Sequence, residues 1–191
     1  MRLFLILFFS FNLSLMAQDL PFRSIPEAPP QMTAENLLVR MIQGLGFRYY
    51  WATEGLRTED LAYKPSATGQ SSRETLEHLY GLTEVILNTS KNKPSLRPVP
   101  SIPEDFETLR SKTLHQLQDA VINFQSIKTE DLAMQKVIFD RGGKRSEFPL
   151  WNLINGPISD ALYHTGQVVS FRRSSGNPIP KGVNVFLGLK N

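Results

Sequence analysis

One short stretch of this chain, SDALYHTGQVVSFRR at residues 159–173, sets an aspartate four positions ahead of a histidine inside an apolar run. On a helix, Asp160 and His164 share a face with Ala161 and Thr165 beside them. Side chains at this spacing can converge on one ion. The same spacing also makes an ordinary hydrogen-bonded surface pair, and both readings stand at this point. His78, in ETLEHLYGL, borders an apolar stripe that includes Leu76 and Leu79. It reads either as a core-edge histidine whose ring nitrogens are hydrogen-bonded, or as a third ligand. Two imidazoles and a carboxylate on one divalent ion would leave coordination positions open to water or substrate. His115 is different. It lies nine positions after Phe106, half a turn round a helix from the core stripe, and reads as a solvated residue.

The elements that carry these residues follow from hydrophobic period and capping. A first helix fits Thr33 to about Glu54, with Leu38, Met41, Ile42, Leu45, Tyr49 and Ala52 at spacings of three and four and Thr33 as N-cap. Tyr49, Tyr50 and Trp51 read as its core and rim aromatics. RTEDLAYKPSATGQ is a loop. Ser71 and Glu74 form a capping box that starts the second helix, whose inward stripe is Leu76, Leu79, Thr83 and Ile86. KNKPSLRPVPSIP is a proline-rich linker. The third helix fits Pro103 to about Ser126, with Pro103 in the first turn and Phe106, Leu109, Thr113, Leu117, Ala120 and Phe124 facing inward.

KVIFDRGGKRSEFPLW alternates and then turns, so it predicts a short hairpin with Asp140 and Arg141 beside the turn. The fourth helix runs from about Pro149 to Ser175 and closes at Gly176. It is kinked at Pro157, which has no N–H for the carbonyl of Leu153, with Gly156 adding freedom. Its stripe is Leu150, Ile154, Ile158, Ala161, Thr165, Val168 and Arg172; Gln167 and Arg172 read equally as ordering residues or surface residues. The fold class is therefore all-α, a four-helix bundle with a small β-hairpin before the last helix.

Around that body, MRLFLILFFSFNLSLMA has the layout of a secretory signal peptide: one basic residue, a broken apolar run and a small residue at Ala17. The organisation expected is a signal peptide at 1–17, an extended arm at 18–32, the bundle at 33–180 and a C-terminal tail at 181–191. The mature protein would be periplasmic or secreted, with no stable membrane insertion after processing. The chain has 191 residues, 41% hydrophobic content and a formal charge of +3, which falls to +2 when Arg2 is lost with the leader. So small a charge gives no electrostatic footprint for nucleic acid. The chain has no cysteine, which excludes disulfides, thiolate zinc sites and a cysteine nucleophile. No Ser–His–Asp order or phosphate-binding glycine loop is present.

Two motifs in this order, TEDLAYKPSATGQSSRETLEHLYGL and WNLINGPISDALYHTGQVVSFRRSSGNPIP, resemble the DinB-like (damage-inducible, YfiT-type) superfamily over residues 33–180. The resemblance rests most on a histidine followed by x-Gly-Gln and an apolar stretch ending in arginines. It implies a helical bundle with a divalent metal near one end, held by a histidine of the second helix and a pair on the last. By position these are His78, Asp160 and His164. Asp160 stands where the family commonly has histidine, so the implied site is a two-histidine, one-carboxylate triad for zinc, iron, nickel or manganese. Related bundles include thiol-dependent transferases, an isomerase and hydrolases. The implied function is an exported divalent-metal-dependent enzyme, hydrolase-like or transferase-like, acting on a small molecule, with a homodimer as a candidate assembly. The alternative is a non-catalytic metal-binding or stress-associated module.

Overall fold

The four long apolar-striped segments are helical in the computed structural model, which describes residues 19–191; the expected signal peptide at 1–17 lies outside the described residues. Helix α1 spans Ala34–Thr53, and the Thr33 hydroxyl accepts from the Asn36 amide at 3.4 Å. A short helix α2, Thr58–Ala62, interrupts the stretch that reads as a loop. Helix α3, Ser72–Ser90, starts at the capping box: the Ser71 amide donates to Glu74 Oε2 at 2.7 Å, and the Glu74 amide donates to Ser71 Oγ at 3.1 Å. After a two-residue strand β1, Ser95–Leu96, comes helix α4, Phe106–Gln125. Here the sequence expectation is corrected. Pro103 lies before the helix, because the Asp105 carboxylate caps it by accepting from the Thr108 amide at 2.7 Å.

A short helix α5, Thr129–Leu132, leads into the hairpin of β2, Lys136–Arg141, and β3, Lys144–Pro149. Gly142 and Gly143 both have positive φ, 65° and 89°, the requirement of the two-residue turn that matches strand twist. Strand β1 adds to β2 in parallel, so the proline-rich linker supplies a third strand. The tail folds back as a second small ribbon, β4 (Val183–Asn184) against β5 (Leu189–Lys190). The molecule is mostly helical with these small strands.

The expected single helix from Pro149 is also corrected. Pro149 ends β3. A three-residue helix α6, Trp151–Leu153, passes into a π-turn at Ile154–Ile158, and α7 then runs Ser159–Ser174. The break falls at the expected point: Gly156 leaves helical geometry at φ −96°, ψ −105°, next to Pro157. Helix α7 ends in a Schellman motif, with the Gly176 amide donating to Arg173 O at 3.2 Å and the Asn177 amide to Arg172 O at 2.8 Å.

Helices α1 and α3 each pack against both α4 and α7. The core they share includes Ile42, Leu45, Leu79, Leu117, Phe124 and Ala161, all fully buried. Before the π-turn the buried residue is Leu153, whereas Leu150 and Ile154 are half-buried. A π-turn spaces equivalent positions five apart, so Leu153 rather than Ile154 continues the stripe that Ile158 begins. The described part of the arm, residues 19–32, is tied down. Phe22 packs on Gly46, and the Trp51 indole donates to Arg23 O at 3.2 Å.

Candidate metal centre

The site forms where the first half of α3 faces the first half of α7. His78 comes from α3, and Asp160 and His164 from consecutive turns of α7 just after the π-turn. His78 Nε2 lies 3.3 Å from Asp160 Oδ2, and His164 Nε2 lies 3.3 Å from Asp160 Oδ1. The two imidazoles meet edge to face with centroids 4.6 Å apart. One ligand atom from each of the three side chains falls within 4.8 Å of the others. The structure therefore brings together the three residues singled out in the sequence. His115 is exposed and takes its own turn's carbonyl, Ser111 O, at 2.8 Å.

Burial is graded across the cluster. The His164 side chain is 16% exposed, against 44% for His78 and 43% for Asp160. The inner histidine is also the oriented one: its Nδ1 lies 2.6 Å from Gln167 Oε1, one turn further along α7. With the amide oxygen facing it, Nδ1 carries the proton and donates, which aims Nε2 at the Asp160 carboxylate. A neutral imidazole then presents a lone pair to a carboxylate oxygen, an arrangement that needs a second proton or a metal cation between them. The two histidine–carboxylate spacings, 3.3 Å each, suit a metal. Two atoms each ~2.1 Å from a shared ion are about 3.0–3.4 Å apart for angles between square and tetrahedral.

A second set of polar residues, which the sequence reading did not single out as a group, fixes the far end of α7. Asp60 of α2 is fully buried and accepts from Arg57 Nε at 3.0 Å, Ser175 Oγ at 2.6 Å and Asn177 Nδ2 at 2.6 Å. The Arg57 guanidinium beside it, helped by these hydroxyl and amide donors, holds its carboxyl far below the usual carboxylate range despite burial. Arg172 is buried too, and burial lowers its pKa. Its place on the inward stripe, in step with Thr165 and Val168, was the available signal. Asp60 offered none, since a five-residue helix is too short to show a period.

The face of α7 opposite the histidine, offset by two residues or about 200°, lines a groove of about 940 Å³ against α1 and the tail. A shallower groove of about 630 Å³ lies between α2 and α3. Neither contains the three candidate ligands.

No family model matches the sequence, and no curated protein matches it. Among solved structures, the crystal structure of a DinB-like protein from Bacillus subtilis, YjoA, is similar to this chain with a TM-score of 0.55. The likeness covers 75% of this chain and 96% of that one at 16% sequence identity. At that identity the comparison speaks to fold alone. The chain has the DinB-like fold.

Proposed function

We propose that this chain is an exported DinB-like four-helix-bundle protein that holds one divalent metal ion at His78, Asp160 and His164 and uses it for hydrolase-like chemistry on a small molecule. The observation that carries the reading is the convergence of three donors from helices far apart in sequence, with His164 Nε2 aimed at the carboxylate by Gln167. When bound, such an ion supplies Lewis acidity and lowers the pKa of a coordinated water. The chain's own residues do the rest. Gln167 fixes the tautomer and ring plane of His164. Asp160 offers one oxygen to each imidazole and offsets the charge of the ion, and as a hard oxygen donor it favours zinc, iron, nickel or manganese over copper(I). His78 and Asp160, nearly half exposed, leave the outer side of the cluster accessible to an incoming ligand. Export is inferred from Arg2, the interrupted apolar run and Ala17.

The test is metal analysis and zinc titration of the purified protein. About one equivalent is expected in the native protein and in His115→Ala, and none in His164→Ala. Gln167→Ala should weaken affinity by roughly 10–100-fold, the usual cost of losing a residue that orients a ligand. Full metal content in a folded His164→Ala variant would overturn the assignment. One observation favours the second reading, a non-catalytic metal-binding module: both grooves are lined by other residues. Cobalt(II) substitution separates the two. A visible spectrum that shifts on adding azide marks an exchangeable position, as an enzyme needs, and an insensitive spectrum favours the module.

A further inference from the structure

The groove along the α1–α7 seam places Arg48 and Arg173 at one end of an open apolar channel, and we propose that it binds an alkyl carboxylate, its head between the two guanidiniums and its chain along the seam. The site is separate from the metal cluster because it uses the other side of α7. Leu162, Gly166, Val169 and Arg173 line it, whereas Asp160, His164 and Gln167 face away.

The register of the seam places the charges. Arg172 bonds carbonyls at the end of α1, so the two helices run in the same direction and finish together. Arg173 therefore lies at the end of α1, about one turn beyond Arg48, and both side chains line the groove. Arg40, Gly44 and Arg48 form one ridge of α1 at successive steps of four. Arg40 is two turns, about 12 Å, from Arg48 and donates to Pro26 O at 3.0 Å, which ties it to the arm. Arg48 spends one donor on Gly44 O at 3.0 Å and keeps the rest. Arginines 57, 97, 110 and 145 each pair with a carboxylate. Among the described residues Arg48 and Arg173 have no such partner, and no acidic side chain lines the groove.

Away from the arginines the walls are mostly apolar, Thr165 and Ser170 apart. Met41, Leu162 and Val169 form the seam, and Phe186, 93% exposed, overhangs it from the β4–β5 loop. The floor is open at Gly166, where an added Cβ would meet nothing within 4 Å. A volume of about 940 Å³ lies within the range of small-molecule sites. An anion with an apolar body satisfies both halves: the guanidiniums gain a carboxylate partner, and the exposed apolar walls leave water.

The experiment is calorimetric titration of the full protein with dodecanoate below its micelle concentration, beside dodecanol and acetate. Saturable one-to-one binding of dodecanoate is expected, with dodecanol and acetate each weaker by at least about tenfold, as loss of a charged hydrogen-bonded head or of the buried chain implies. The double variant Arg48→Met, Arg173→Met should lose at least about tenfold. Gly166→Leu should abolish saturable binding by filling the floor. Removing a mid-helix glycine favours the helix, so this variant should melt no lower than the native protein. Both variants should keep their zinc stoichiometry, which separates this site from the metal centre. Dodecanol binding as tightly as dodecanoate, or unchanged binding in either variant, would overturn the proposal. So would a dimer seen by sedimentation that Gly166→Leu dissolves while dodecanoate shows no saturable uptake.

Discussion

Replacing Arg172 with methionine keeps the apolar stem and removes the guanidinium, and the structure sets what that removal strands. Nη1 donates to Trp51 O at 3.2 Å, Ala52 O at 3.0 Å and Glu54 O at 3.0 Å, and Nε donates to Asn177 O at 2.6 Å. The last carbonyls of a helix have no intrahelical partner, and Trp51 and Ala52 are in the last turn of α1. Each buried acceptor left bare costs roughly 1–3 kcal/mol, so the two buried carbonyls, of Trp51 and Ala52, would cost up to about 6 kcal/mol. Water entering the helix end and the relief of burying a cation reduce this. A net loss of about 3–5 kcal/mol is expected, as for other broken buried charged contacts. Against a total of roughly 5–15 kcal/mol that is severe. At about 2–4 °C per kcal/mol for a chain of this size, Tm should fall by roughly 6–20 °C. The assay is urea unfolding followed by far-UV circular dichroism, with Arg172→Lys in parallel. Lysine lacks the planar fork and should recover only part of the loss. A loss below about 1 kcal/mol in Arg172→Met would refute the view that this side chain closes the end of α1.

Two further outcomes follow from the same geometry. Asp60 has a folded-state pKa below the ordinary 3.8, so between those two values the unfolded chain binds more protons and stability rises with pH. Its contribution is complete above the unfolded pKa and is lost as pH falls through the lower folded value. Asp60→Asn should destabilise at neutral pH and flatten the acid limb below about pH 4, which urea midpoints across pH will check; an unchanged limb counts against it. Gly46→Ala drives a Cβ to 2.5 Å from the Phe22 ring. A net cost of about 1–2 kcal/mol is expected, overpacking less the helix propensity gained, and it should vanish in a Phe22→Ala background. A double-mutant cycle measures this coupling, and a cost that persists without the ring would show the clash lies elsewhere.

What could be read from the sequence was what neighbours in the chain decide. The Ser71–Glu74 box, the Gly142–Gly143 turn and the Asp160–His164 spacing each involve residues no more than four apart. Bringing His78 opposite them is a non-local fact that period alone left open, and the family resemblance supplied it. The start of α4 was misplaced because Pro103 and Asp105 are both acceptable helix openers, and the carboxylate that can pair with an amide prevailed. The stripe of the last helix was misjudged before residue 158 because it was read with one period throughout. Strand β1 has two residues and shows no alternation. The Asp60–Ser175–Asn177 cluster joins positions more than a hundred residues apart, and polar residues in turns give no sign of their distant partners.

The π-turn at 154–158 also has a mechanical consequence. Helical bonding is interrupted at Gly156 and Pro157, while Ser159 Oγ remains fastened to Ile154 O at 2.6 Å. Such a joint transmits position but little torque. Along this connection, motion of the β2–β3 hairpin meets the irregular backbone at Gly156 before it reaches Asp160. Helix α7 keeps its rotation from the opposite end, where Arg172 and the Asp60 cluster clamp it. An insertion at the Gly142–Gly143 tip is therefore expected to disturb the Asp160–His164 spacing less than the position of His78, because β2 packs directly on α3.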